Sequence, residues 1–162
     1  MPMLEHTGLG SVLPGRGLGA VRLGMRRADV RASVGEPLCE AEQDADGDAR
    51  MEYHGGAHLF FGREQGFRLT LILLEEPGAL TLCGVPIARV SEREALVWLG
   101  NAKHTVRETE FLDQDGETAV EREHSFGELG ITLYADGAGR LTGCAIFVVI
   151  DPQDCFQWPD GQ

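Results

Sequence analysis

Residues 19–35 read GAVRLGMRRADVRASVG, and residues 84–100 read GVPIARVSEREALVWLG. Both stretches run from a glycine through a short apolar segment into a charged helix start, and both end on an apolar residue followed by glycine. Self-similarity at a long spacing is the sequence sign of a duplicated structural unit. The two stretches therefore predict two tandem units built on the same plan.

Strand patterns follow each stretch in the same order. They lie at 50–54, 57–61 and 67–74 in the first unit, and at 104–112, 118–126, 130–135 and 140–150 in the second. Gly55-Gly56 and Asp136-Gly137 are typical hairpin turns because glycine reaches positive φ without steric cost. A first helix is expected at 26–34. Ser91 with Glu94 three residues later forms a capping box, which predicts where the second helix begins.

These patterns predict an α+β fold of two tandem repeats, each a short strand and helix followed by an antiparallel sheet of three to four strands. The predicted organisation is a flexible N-terminal segment at 1–13, repeat one at 14–78, repeat two at 79–150 and a C-terminal tail at 151–162. Each repeat is too short to bury a large core alone, so we expect the two to share a sheet or to pack tightly as one body.

The charge of the chain restricts its partners. Among 162 residues, 26 acidic side chains stand against 14 basic ones, which gives a formal net charge of −12. Such an excess disfavours nucleic acid and anionic membrane surfaces and favours a basic partner. The first ten residues carry no basic and apolar leader pattern, and no apolar run approaches the ~18 residues of a spanning helix. We therefore expect a cytoplasmic protein without a membrane partner.

The sequence contains no convincing catalytic or metal-binding motif. His54 and His58 flank a hairpin turn, but no third ligand of the kind that zinc requires lies near them. Residues 44–48 begin like a calcium loop, but Ala49 and Gly55 stand where that loop needs its glycine and its glutamate. No serine has the context of a nucleophile elbow. We therefore predict a protein without catalytic residues, metal or cofactor, and keep a metal enzyme centred on the two histidines as an alternative.

Two acidic segments follow the two predicted helices. Residues 36–52 hold seven acidic side chains against one arginine, and residues 107–123 hold seven against two, for net charges of −6 and −5. They are either solvated loops or a docking surface that steers a basic partner, with aromatic side chains as anchors. The candidate partner-binding residues are Asp44, Asp46, Asp48, Tyr53, Asp113, Asp115, Glu117, Tyr134 and Trp158.

The segment VRLGMRRADV at 21–30, followed by VGEP at 34–37, resembles the opening of a group of small α+β modules. The group includes the tandem β-lactamase-inhibitor-protein type, related outer-membrane-assembly lipoproteins and many bacterial toxin-immunity proteins. The second unit departs from this pattern with Ala88-Arg89-Val90, and the chain lacks the lipidation cysteine of the exported members.

The resemblance implies a function as well as a fold. Tandem members of the group present a sheet to an enzyme and block its active site, which implies that this chain is an immunity protein that neutralises a cognate protein toxin. The alternative from another class is a small-molecule-binding module with a pocket between the two repeats, lined by Trp98 and phenylalanine side chains.

Overall fold

A computed structural model of the chain describes residues 10–43, 47–53, 56–75, 80–100 and 102–159. The N-terminal part forms a small antiparallel sheet of two-residue strands: β1 (Val12–Leu13), β2 (Gly17–Leu18) and β3 (Val21–Arg22). Helix α1 (Arg27–Val34) follows and buries Val30 and Val34, which lie one turn apart on its inner face. Four strands come next: β4 (Cys39–Ala41), β5 (Ala49–Tyr53), β6 (Ala57–Gly62) and β7 (Arg68–Leu74).

The second part of the chain begins with a short hairpin of β8 (Thr81–Leu82) and β9 (Val85–Pro86). A 3₁₀ turn at Ile87–Arg89 leads into helix α2 (Glu92–Trp98). Ser91 Oγ accepts a hydrogen bond from the Glu94 amide at 3.0 Å, and the Glu94 carboxylate accepts one from the Ser91 amide at 3.2 Å. The predicted capping box is therefore confirmed.

Six further strands complete the described part of the chain. They are β10 (Thr105–Leu112), β11 (Thr118–Phe126), β12 (Ile131–Asp136), β13 (Leu141–Phe147), β14 (Val149–Ile150) and β15 (Phe156–Gln157). The hairpin predicted at Asp136-Gly137 joins β12 to β13, and β14 pairs with β15.

Eight strands make one continuous antiparallel sheet in the order β10-β11-β12-β13-β7-β6-β5-β4. At its centre β13 pairs with β7, from Cys144 opposite Leu74 to Phe147 opposite Leu71. Gly143 lies at this junction, where a Cβ atom would come within 2.3 Å of the Leu74 carbonyl oxygen. The close approach of the two strands therefore requires glycine there.

The prediction of a two-repeat α+β fold is wrong. The chain is mostly β-sheet, with 49% strand against 16% helix, and the described residues contain two α-helices. These helices have eight and seven residues, and α2 buries only Ala95, so neither forms a layer of its own. The large strands of both predicted repeats share one sheet, because the ladder between β7 and β13 joins them without a break.

One face of the large sheet carries the core. Alternate residues of each strand are buried there, as the pleat requires, for example Met51 on β5, Leu59 on β6 and Leu133 on β12. The small N-terminal sheet contributes Leu18 and other buried side chains to the same cluster. The opposite face, which we call the open face, carries half-buried side chains, among them Phe60, Leu71, Leu73, Tyr134 and Phe147.

Candidate protein-binding surface

The hairpin of β10 and β11 continues past the end of β12. All residues from Lys103 to Thr118 are exposed, including every residue of β10. Strand β11 pairs with β12 only from Glu121 onward, so its first residues have β10 as their one strand neighbour among the described residues. We call residues 105–123 the acidic arm.

A tight turn at Asp113–Glu117 closes the acidic arm. The Asp113 amide donates to the Glu117 carbonyl at 2.9 Å, and the Gly116 amide donates to the Asp113 carbonyl at 3.0 Å. Gly116 has φ 78°, a left-handed conformation that glycine adopts without strain. The Asp113 carboxylate accepts hydrogen bonds from the amides of Asp115 and Glu117, both at 2.9 Å. Asp113 therefore shapes the turn, while Asp115 and Glu117 present their carboxylates to solvent.

Most carboxylates of the acidic arm have no cationic partner among the residues that the structure describes. Within the described part of the chain, two pairs involve them: Arg107 with Glu123 at 3.1 Å and Arg122 with Glu108 at 3.7 Å. The remaining acidic side chains besides Asp113 form no ion pair with a described residue; they are Glu110, Asp115, Glu117 and Glu121. The acidic arm therefore presents uncompensated negative charge.

Helix α1 compensates two carboxylates of the first acidic segment. Arg31 pairs with Glu36 at 2.9 Å and also with Glu40, and Arg27 pairs with Glu40 at 3.3 Å. Hydrogen bonds to these two carboxylates raise the pKa of Arg31. The two acidic segments look alike in sequence, but among the described residues Glu36 and Glu40 of the first are paired, whereas most carboxylates of the acidic arm are not.

A charged cluster attaches the acidic arm to α2. The Arg122 guanidinium donates to both oxygens of the Glu92 carboxylate, at 2.9 and 2.8 Å, and His124 Nε2 lies 2.5 Å from Glu92 Oε2. The hydrogen bond from Arg122 is the main reason why the pKa of Glu92 falls to about 2. His124 is 5% exposed, and its Nδ1 has no hydrogen-bond partner among the described residues. This cluster lies away from the tip of the arm and holds its base to the body.

Several predicted binding residues lie elsewhere. Asp48 accepts a hydrogen bond from the Arg63 amide at 2.8 Å, and Asp44 and Asp46 lie outside the described residues. Tyr53 is buried, and its hydroxyl donates to the Gly35 carbonyl at 2.7 Å. The structure therefore places Tyr53 in the core, where its side chain is not available to anchor a partner beside the first acidic segment.

The other two aromatic candidates are half-buried. Tyr134 lies on the open face opposite Glu123 of the acidic arm, and burial is the main cause that raises the pKa of its hydroxyl. Trp158 packs beside Phe156, with ring centroids 5.3 Å apart, and the Arg68 guanidinium lies 5.5 Å from its ring centroid. Tyr134 is therefore next to the acidic arm, whereas Trp158 belongs to the packed C-terminal segment.

A cleft of about 1030 Å³ lies between the base of the arm and the strand pair β14–β15. Thr105 and Ser125 line its arm side, and Phe147, Val148 and Ile150 are among its apolar walls. Trp98, which the sequence placed in a pocket, does not line this cleft.

Sequence reasoning missed the apolar side chains of β10 and the cluster of Glu92, Arg122 and His124. Val106 is 55% exposed and Leu112 is 72% exposed, whereas side chains of this kind are usually buried. Only the tertiary structure reveals that they are exposed. Glu92 and Arg122 are 30 residues apart in the chain, and no local pattern connects them.

No protein-family model matches the chain, and neither does any curated protein. Among solved structures, the chain is similar to YjgB, a DUF4309 family protein from Bacillus subtilis, with 15% sequence identity and a TM-score of 0.47. The match covers 82% of this chain and 87% of that one. At this distance the likeness carries no functional assignment. None of the helices in the described residues is long and apolar enough to cross a membrane.

Proposed function

We propose that the chain is a non-enzymatic binding protein that docks the acidic arm onto a basic surface of a partner protein. One observation carries the proposal: the arm is exposed along its whole outer strand and keeps four acidic side chains without a cationic partner among the described residues. Concentrated charge of one sign steers an oppositely charged partner and speeds encounter.

The exposed apolar side chains of the arm support docking to a protein rather than a purely solvating role. Val106, Phe111 and Leu112 are large apolar residues with exposed fractions of 55%, 48% and 72%. Protein interfaces combine such apolar contacts with a polar and charged rim. The acidic arm offers both within one hairpin.

The narrower role that we propose is neutralisation of a protein toxin. It rests on the resemblance of residues 21–37 to modules that include toxin-immunity proteins, together with the acidic arm. A toxin with a basic active-site surface is the kind of partner that the arm would cover.

The docking proposal is tested with two matched double variants. Asp115→Lys/Glu117→Lys reverses two charges on the acidic arm, and Glu64→Lys/Glu128→Lys reverses two exposed charges elsewhere. Proteins captured from the source organism by the wild type and by the control variant, but not by the arm variant, are identified and purified. At low salt these partners should associate with the arm variant about tenfold or more slowly than with the wild type or the control variant. Equal rates for the two variants would contradict docking through the arm.

The toxin role has a separate test. Expression of the captured partner alone should stop growth of the host cell, and co-expression of this chain should restore it. The arm variant should restore growth less well than the control variant. A captured partner that leaves growth unchanged would contradict neutralisation without contradicting docking.

The cleft beside β14–β15 supports a second candidate function, binding of a small ligand. Its volume is in the range of small-molecule sites, and apolar walls with nearby hydroxyl groups suit such ligands. Native mass spectrometry of the purified protein should then show a bound small molecule that is lost when Ser125→Trp fills the cleft. A Ser125→Trp variant that keeps the molecule would contradict binding at this place.

A further inference from the structure

Strand β10 forms one edge of the eight-stranded sheet. Its one strand neighbour among the described residues is β11, and all eight of its residues are exposed. An edge strand presents a row of unpaired backbone amide and carbonyl groups that can accept another strand. Folded proteins usually protect such edges by keeping them short or by placing charged side chains on them; β10 is eight residues long, and its charged residues are Arg107, Glu108 and Glu110.

The turn identifies which backbone groups point outward. The Asp113 amide bonds to the Glu117 carbonyl, so residue 113 directs its backbone groups toward β11. Orientation alternates along an antiparallel ladder, and the register from Thr105 opposite Ser125 to Leu112 opposite Thr118 has no irregularity. The backbone groups that point away from β11 therefore belong to Val106, Glu108, Glu110 and Leu112.

The same four residues share one face of the strand. Val106 lies opposite His124 and Glu108 opposite Arg122, which places both on the face that continues the core side of the sheet. Along this face the carboxylates of Glu108 and Glu110 stand between two exposed apolar side chains; Glu108 lies 3.7 Å from Arg122, and Glu110 forms no ion pair with a described residue. The other face carries Thr105, Arg107, Thr109 and Phe111. Arg107 is the one charged residue among these four, and it already pairs with Glu123.

We propose that β10 binds an extended segment of the basic partner as an added antiparallel strand. The segment carries two basic side chains two residues apart, with an apolar residue two positions beyond each, in the pattern apolar-x-basic-x-basic-x-apolar. Directly opposed side chains of paired strands contact each other, so the basic residues face Glu108 and Glu110 and the apolar residues face Val106 and Leu112. This inference rests on the proposed function and specifies how the partner is recognised.

A second copy of this chain fits the edge poorly. Residues that face each other in an antiparallel ladder have the same backbone orientation, so an even-numbered residue of β10 opposes an even-numbered residue of the copy. The two longest symmetric registers place Glu108 opposite Glu110, or Glu108 opposite itself. Like charges directly opposite destabilise a strand pair, and this favours a basic segment over a second copy.

The test uses a synthetic peptide, TVTRTRTVT, which carries the required pattern. In the proposed register the amides of its arginines point toward β10 and the amides of its central threonines point away. One derivative is N-methylated at both arginines, and the matched control is N-methylated at the threonine between the arginines and the one after them. Both derivatives keep the charge of the parent peptide. Loss of two backbone hydrogen bonds should weaken binding of the first derivative about tenfold relative to the control.

Amide hydrogen exchange provides the residue-specific readout. Bound peptide should slow exchange at Val106, Glu108, Glu110 and Leu112, and it should leave the amides of Arg107 and Thr109, which already face β11, unchanged. Sedimentation of the free protein should show a monomer at the same concentration. A dimer held through β10, protection at other residues or absence of peptide binding would overturn the proposal.

The outcomes separate this inference from the proposed function. Equal affinity of the two N-methylated derivatives, lost in Asp115→Lys/Glu117→Lys, would overturn strand addition and leave docking by charge intact. A preference for the derivative methylated at the arginines would overturn the antiparallel register. Peptide binding that the arm variant does not weaken would count against the proposed function itself.

Discussion

Arg122 on β11 and Glu92 at the start of α2 form a bidentate ion pair, with hydrogen bonds of 2.9 and 2.8 Å. The pair is shielded from solvent, since the side chains of Arg122 and Glu92 are 26% and 13% exposed. Paired donors of this planar kind are stronger than a single neutral hydrogen bond. The contact connects the base of the acidic arm to helix α2.

Glu92→Gln should destabilise the protein. The substitution keeps the shape of the side chain but removes the charge that Arg122 and His124 contact, and we expect a loss of about 2 kcal/mol in the free energy of unfolding. Urea unfolding of the variant beside Glu64→Gln, an exposed control, measures the effect. An unchanged midpoint for Glu92→Gln would show that the ion pair does not hold the arm.

Stability should depend on pH through the same carboxylate. The pKa of Glu92 is lowered to about 2, mainly by the hydrogen bond from Arg122 and further by His124, against about 4.3 in an unfolded chain. A lowered pKa in the folded state contributes stability above the unfolded value, and this contribution disappears as pH falls toward 2. The difference in unfolding free energy between wild type and Glu92→Gln should therefore shrink as pH falls from about 4 to 2. A difference that stays constant over this range would refute the assignment.

We expect Asp113 to stabilise the turn through the hydrogen bonds that its side chain accepts, and not through its charge. Asp113→Asn keeps an oxygen that accepts hydrogen bonds from the amides of Asp115 and Glu117, whereas Asp113→Ala removes it. We expect a loss of about 1 kcal/mol in the free energy of unfolding for the alanine variant and little change for the asparagine variant. Hydrogen exchange at the amides of Asp115 and Glu117 should become faster in the alanine variant and stay unchanged in the asparagine variant. Equal destabilisation of the two variants would assign the role to charge instead.

Gly143 should be the least replaceable glycine of the central junction. A Cβ atom at this position would lie 2.3 Å from the Leu74 carbonyl oxygen, so Gly143→Ala has to push β13 away from β7. We expect a cost of about 2 kcal/mol, in the range of overpacked sites. Gly137→Ala is the matched control, because its nearest neighbour, Val120 Cβ, lies 3.6 Å away. Similar melting temperatures for the two variants would mean that the junction accommodates a methyl group.

Local features of the fold were predictable because they depend on neighbours in the chain. Strand β11 occupies Thr118–Phe126, the range that the residue pattern predicts, and α2 begins directly after its N-cap Ser91, as the capping box with Glu94 predicts. The turn at Asp136 joins two strands as expected. In each case the hydrogen bonds or the alternation of apolar residues involve positions only a few residues apart.

The sequence by itself therefore determined the short-range elements and the excess of negative charge. Only the tertiary structure decided that β7 and β13 join all the large strands into one sheet, because that ladder pairs residues about 70 positions apart, a separation that no local pattern encodes. It also decided which described carboxylates are paired: Arg27 and Arg31 of α1 pair with Glu36 and Glu40 of the first acidic segment, whereas Glu110, Asp115, Glu117 and Glu121 of the acidic arm have no ion-pair partner among the described residues. Charge composition is a property of the chain, but its compensation depends on distances that exist only once the chain is folded.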